Sequence, residues 1–273
     1  MKKGILKSLT GMALTGILAI SLAGCGTTEK EAKAKTGLAG LQDKGKIVVG
    51  MMAATPPYEF HSVEGGKDEI VGSDIKLLDE VSKDLGVKYE IKDMDFDGLL
   101  VALQAGKIDM IVSAISPTEE REKNADFTNV YYKDRHVMIV RKSELDKFKS
   151  NDSLKKARIA AIKSSVQEKI VEKEFPNAEL KLLGKSTELA MDLAANKVDA
   201  VLVDRPTATL LVKSNPSLAK TELLFDDDTA GAAIAMPNGT DKEVMDKINK
   251  TIERTKPEYE KWLTDAMGKV KQN

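Results

Sequence analysis

The chain has 273 residues, with 42 basic against 43 acidic side chains and a formal net charge of -1. That balance argues against a nucleic-acid partner, whose phosphates call for a basic surface. Cys25 is the only cysteine, so no disulfide can form within one chain and packing alone must hold the fold.

In chain order, Lys2, Lys3 and Lys7 precede a mostly apolar stretch from Leu9 to Ala23, closed by Leu22-Ala23-Gly24-Cys25. A basic start, a short apolar core and small residues before a cut site make a secretory signal peptide. The stretch, about 15 residues broken by Thr, Gly and Ser, is too short to read as a spanning helix. A cysteine just after such a cut marks a bacterial lipoprotein. The expectation is a signal peptide over 1–24, a lipid-modified (palmitate-bearing) Cys25, and a flexible tether over 25–45. The mature chain then sits outside the cytoplasm on a membrane anchor.

Strands and helices alternate from residue 46 onward. Lys46 to Gly50 reads as a strand. Ser73 to Leu85 carries Ile75, Leu78, Val81 and Leu85 at helical spacing and stops at Gly86. Val87 to Ile91 reads as a strand, Gly98 to Ala105 as a short helix, and Ile108 to Ile115 as an apolar run suited to a buried parallel strand. Such alternation predicts an α/β fold. The pattern then recurs: Leu99, Leu103, Ala105, Lys107 and Asp109 answer to Leu189, Leu193, Ala195, Lys197 and Asp199. Either two α/β helices match by chance, or the chain has two lobes of like construction. Ligands of open α/β sheets bind beyond the carboxyl ends of the strands, so two facing sheets would enclose one cleft.

The residues at those strand ends are chemically suited to a ligand. Ser113-Ala114-Ile115-Ser116 is followed by Pro117-Thr118-Glu119-Glu120-Arg121. Ser116-x-x-Glu119 with Pro117 between is a helix-start signature, and helix starts favour anions. Arg121, one turn in, is either a surface cation paired with a glutamate or a planar fork for a carboxylate. In the second half Ser165-x-x-Glu168 repeats the capping spacing, and Val203-Asp204-Arg205-Pro206 ends the repeated strand. Asp204 there serves as an N-cap, as the partner of an ammonium group, or as both. Tyr58 and Phe60 close a loop stiffened by Pro56 and Pro57, with core packing expected of Phe60. Phe96 lies beside the same cleft, where an aromatic face covers a ligand or packs the core.

Taken together these segments resemble the extracytoplasmic substrate-binding proteins of ABC importers for polar amino acids. The likeness runs from about Lys46 to Gly268 and rests on several blocks in order. These are Gly50 to Phe60 with Pro-Pro-Tyr-Glu-Phe, Val71-Gly72-Ser73-Asp74-Ile75, Met94-Asp95-Phe96-Asp97-Gly98-Leu99, Ala105-Gly106-Lys107-Ile108-Asp109, Asp126-Phe127-Thr128, and Tyr131-Tyr132. The resemblance implies a type II periplasmic-binding-protein fold: two α/β lobes, a Venus flytrap, joined by a two-stranded hinge. The lobes are expected over 46–138 plus 230–273 and over 139–229, with hinge strands near 137–141 and 232–236.

By position, the resemblance gives Arg121 and Ser116 to a ligand α-carboxylate, and Asp204 to its α-ammonium. Ala114 offers a backbone carbonyl to the ammonium, Ser164 and Ser165 form the second-lobe helix start near the ligand, and Phe96 is an aromatic packing residue. Two positions depart from the family pattern. Met52 stands where basic-amino-acid binders often carry an acid, and Thr55 where an aromatic usually covers the ligand. The implied function is to bind an uncharged or acidic polar amino acid, glutamine-like, and deliver it to an ABC permease with its cytoplasmic ATPase. The protein is expected to act as a monomer, without catalysis, cofactor or metal. A basic ligand is the alternative, with Glu59, Asp95 or Asp97 supplying charge; a dehydratase-type enzyme and a sensor input domain are further alternatives. His61 and His136 have no metal-ligand spacing, Asp226-Asp227-Asp228 reads as a solvated loop, and Trp262 as an anchor of the last helix.

Overall fold

The computed structural model describes residues 37–270; the signal peptide and Cys25 lie outside the described residues. The chain opens with α1 (Leu38–Lys44) and β1 (Lys46–Met51), followed by a small sheet of β2 (Ala54–Thr55), β3 (Glu59–Glu64) and β4 (Lys67–Val71). Next come α2 (Ser73–Leu85), β5 (Lys88–Asp93), α3 (Phe96–Gln104), β6 (Met110–Ile111), α4 (Glu119–Glu122) and β7 (Asp126–Phe127). A second group runs β8 (His136–Arg141), α5 (Asn151–Leu154), β9 (Arg158–Ile162), α6 (Val166–Glu174), β10 (Glu179–Leu183), α7 (Ser186–Ala194), β11 (Ala200–Asp204), α8 (Arg205–Ser214) and β12 (Leu218–Phe225). The chain ends with β13 (Ala235–Met236) and the long helix α9 (Lys242–Lys269).

Two five-stranded sheets result, in the orders β5-β1-β6-β13-β7 and β10-β9-β11-β8-β12. Each has a parallel trio at one end, β5-β1-β6 in one and β10-β9-β11 in the other. The protein is thus mixed α/β with two sheet-containing lobes. The repeated aspartates do the same work in each. Asp109 accepts from the Val48 N–H at 2.7 Å, and Asp199 accepts from the Arg158 N–H at 3.0 Å. Each also donates its own N–H back to the same residue, at 2.7 Å in both lobes. Each therefore clips the neighbouring strand of its trio. The Arg158 side chain holds the Asp199 carboxyl down to about 2.

The apolar spacing of α2 puts Leu78, Val81 and Leu85 on one face, packed with Ile248, Ile252 and Leu263 of α9. Trp262 packs on the edge of the same cluster. Gly86, at φ +72, ends α2 by donating its N–H back to the carbonyls of Lys83 and Ser82. Gly72 starts it. At φ +144 a side chain is strained, and a Cβ there would stand 1.9 Å from the Tyr58 carbonyl oxygen. That close approach lets the Ser73 and Asp74 N–H groups donate to the carbonyls of Pro57 and Tyr58.

Two expectations need adjusting. The apolar run 108–115 forms a strand only over Met110–Ile111. Val112 still reaches the Gly50 carbonyl at 3.3 Å, and then Ala114, at φ +45, turns the chain away. Of the segments expected to cross between lobes, 137–141 lies inside a sheet as part of β8, while 232–236 runs from the crossing at Ala232 into β13 at Ala235. The chain crosses between Phe127 and His136 and returns between Phe225 and Ala235. The two crossings pair through an antiparallel bridge between Tyr132 and Ala232, with the Ala232 N–H donating to the Tyr132 carbonyl at 2.7 Å.

Candidate functional site

The strand ends of both lobes open on one cavity of about 90 Å3. Met52, Thr55, Phe96, Ala114, Ser116 and Arg121 line it from the first lobe, and Ser165 and Asp204 from the second. Ser164 does not line it with these residues; it meets the site through its carbonyl.

Arg121 sits on the four-residue helix α4. Thr118, not Ser116, caps that helix, with its hydroxyl accepting from the Arg121 N–H at 3.2 Å. The helix begins two residues later than the Ser116–Glu119 spacing predicts, which leaves the Ser116 carbonyl free to accept from Arg121 Nη1 at 2.7 Å. Arg121 Nη2 crosses the cleft and donates to the Ser164 carbonyl at 2.7 Å. The guanidinium also lies 5.4 Å from the centre of the Phe96 ring, a cation–π distance. Burial pulls it down to about 10, so it keeps its charge at neutral pH.

Asp204 closes β11 and caps α8, accepting from the Thr207 N–H at 2.9 Å. Its Oδ1 also accepts from the Tyr58 hydroxyl at 3.0 Å, a second bond across the lobes. Burial pushes the Asp204 carboxyl above its ordinary value, opposed by the bond from the Thr207 N–H. The Tyr58 phenol is pushed well up by burial and then by the Asp204 charge, so it stays a donor. Ser165 caps α6, accepting from the Glu168 N–H at 3.2 Å. The return bond of that capping box goes to the Ser164 N–H rather than to Ser165 itself.

The three acids considered for a cationic ligand are engaged elsewhere. Glu59 is fully buried and bonds Ser113. Asp97 pairs with Lys163 of the other lobe at 2.7 Å. The carboxylate of Asp95 lies beside Gly184. Instead the cavity is lined by Tyr58 of the proline-stiffened loop and by polar groups to which the sequence patterns gave no binding role: Asp134, His136, Gln167 and Asp227. The Gln167 amide lies 3.2 Å from His136 Nδ1, and His136 Nε2 lies 3.0 Å from Asp227. With the amide donating to Nδ1, the ring proton sits on Nε2 and goes to Asp227. Asp227 is therefore not part of a solvated loop; its side chain is 9% exposed, against 64% and 89% for Asp226 and Asp228. Burial pushes its carboxyl up, but the bonds from His136 and Thr229 outweigh this and hold it below its ordinary value. No local motif could reveal this trio, because antiparallel pairing of β8 with β12 brings His136 opposite Phe225, beside the crossing.

Residues 47–265 match the family of bacterial extracellular solute-binding proteins, family 3. The chain belongs to this family. Its two sheet-containing lobes are the type II periplasmic-binding-protein fold. This solute-binding protein is 28% identical to the arginine-binding extracellular protein ArtP of Bacillus subtilis, over 97% of this chain and 99% of that one. It is 26% identical to the L-cystine-binding protein TcyJ of Escherichia coli, over 90% and 91% of the two chains. Among solved structures it resembles AbpA of Streptococcus pneumoniae, an amino acid ABC transporter substrate-binding protein bound to L-arginine. The TM-score is 0.81 at 36% identity, covering 85% of this chain and 98% of that one. In the solute-binding protein described here, one lobe presents a guanidinium and the other a carboxylate to the same cavity.

Proposed function

We propose that this protein binds an L-α-amino acid with a polar side chain outside the cell membrane and hands it to an ABC permease driven by a cytoplasmic ATPase. The observation that carries this reading is the opposition of Arg121 and Asp204 across one cavity. An amino acid zwitterion has a carboxylate and an ammonium at fixed separation, and each loses water on burial, so each needs an opposite charge with good geometry. Ser116, Ala114, Ser164 and Ser165 supply hydrogen-bonding groups around those two charges, and Phe96, Met52 and Thr55 form walls. The work is mechanical: a solute that touches both lobes favours their closure. Nothing in this requires catalysis.

An uncharged side chain, glutamine-like, fits best, because Asp134 and Asp227 already hold Arg205 and His136. A basic side chain is the second reading, favoured by the likeness to an arginine-bound structure and by those same carboxylates in the cavity wall. Calorimetry of the purified mature protein against the twenty amino acids tests both. Tightest binding of an uncharged polar amino acid supports the first, tightest binding of arginine, lysine or histidine the second, and no binding to any of them contradicts both. The lipid anchor at Cys25 belongs to the same proposal: Cys25→Ala should release the protein from membranes or stall signal removal, and a soluble, unacylated wild type would contradict it.

A further inference from the structure

Behind the Ser113–Ala114 corner of the cavity, two carboxyl groups lie together at 0% exposure, Glu59 on β3 and Asp74 in the first turn of α2. Asp74 Oδ2 accepts from the Ala114 N–H and from the Tyr131 hydroxyl, each at 2.9 Å. Its Oδ1 accepts from the Tyr259 hydroxyl. Glu59 Oε1 accepts from the Ser113 hydroxyl at 2.6 Å, and that hydroxyl accepts from the Met52 N–H at 3.1 Å. Glu59 Oε2 is buried with no donor among the described residues. The two carboxyl groups are close enough for the charge of one to act on the other.

Two neighbouring buried carboxylates repel and neither can donate to the other, so one of the pair must carry a proton. Asp74 has three donors and the positive end of a 13-residue helix, both of which favour its charge. Glu59 has one hydroxyl donor, and its Oε2 has none among the described residues. The proton therefore belongs on Glu59 Oε2.

The geometry points to Glu59 as a buried carboxylic acid that donates to the Asp74 carboxylate, the pair together setting the Ser113–Ala114 corner as positioning residues of the solute site. Ala114 is held at φ +45, an unfavourable conformation for a residue with a side chain, and its N–H is tied directly to Asp74. Ser113 is tied to Glu59, and both residues line the cavity. The consequence for binding rests on the proposed amino-acid site; the pairing itself does not. The charged groups facing Glu59 are Asp74 on α2 and Asp204 from the second lobe, while Tyr131 and Tyr259 face it through Asp74. Burial first, and then the Asp74 charge, push the Glu59 carboxyl well above its ordinary value.

The test uses the full mature chain with no solute, so its failure is separable from failure of the amino-acid reading. Infrared spectra of protein carrying carboxyl-labelled glutamate should show a protonated-acid C=O band at neutral pH that Glu59→Gln removes. The Gln amide can still donate to Asp74 and accept from Ser113, so the Ala114 amide resonance should stay in place in Glu59→Gln and move in Glu59→Leu. Above the ordinary glutamate value of about 4.3, the folded wild type holds a proton that the unfolded chain has released. Stability therefore falls as pH rises through that window, and the melting temperature of the wild type should fall more steeply than that of Glu59→Gln. Absence of the acid band in the wild type, or parallel melting profiles, would overturn the proposal.

Discussion

The Tyr58 hydroxyl of the first lobe donates to the Asp204 carboxylate of the second at 3.0 Å, while Arg121 of the first lobe donates to the Ser164 carbonyl of the second at 2.7 Å. The two charged anchors of the proposed site are thus also among the groups through which the lobes touch. A solute that takes over either bond must compete with the protein's own closure.

Tyr58→Phe separates these roles. The ring is buried against Tyr132, with centroids 6.1 Å apart, and keeps that packing. What is lost is one hydrogen bond to a charged acceptor, worth about 1.5–3 kcal/mol. The ligand-free variant should populate open forms more, and small-angle scattering should report a larger radius of gyration than the wild type. Identical profiles would contradict a closing role for Tyr58.

Met52 is 3% exposed at the cavity wall and packs with Phe96 and second-lobe residues such as Val203. Met52→Asp should move preference toward arginine over glutamine, at a cost in stability from burying a charge. The ratio of the two dissociation constants by calorimetry checks this. An unchanged ratio would show that Met52 does not face the ligand side chain.

Binding should weaken in acid. Burial raises the Asp204 carboxyl, and only its charged form pairs with an ammonium group. Affinity is therefore full above that raised value and lost as pH falls through it, by up to about tenfold per pH unit. Asp204→Asn should bind weakly with a flat profile. A wild-type affinity that is constant from neutral pH to about 4 would contradict the pairing.

How far the sequence alone reaches depends on the range of the interaction. Local periodicity placed α2 over 73–85, ended by Gly86, and the Asp109/Asp199 repeat marked the shared construction of the two lobes. Capping was legible only in part: Ser165 and Asp204 are caps, but Thr118 took the place of Ser116 because the helix starts two residues later. Phe60, Ser116 and Arg121 are buried, as a strand-end site and its core require. The partner of Tyr58, and the binding-site placement of His136 and Asp227, were not legible because Asp204, Gln167 and the His136–Asp227 contact join residues far apart in sequence. Glu59 was weighed as a charge for a basic ligand, since nothing local distinguishes a buried protonated acid from an exposed carboxylate.

The most direct test of the two-charge site is calorimetry of Arg121→Ala and Asp204→Ala with the amino acid that binds the wild type most tightly. Removing one partner of a buried charge pair costs about 3–5 kcal/mol, or about 150- to 5,000-fold in affinity. Each variant should lose binding on that scale, and Asp204→Ala should also lower the melting temperature of the ligand-free protein, because it removes the cap of α8 and the acceptor of Tyr58. Wild-type affinity in both variants would contradict the account, leaving Arg121 a bridge between lobes and Asp204 a helix cap.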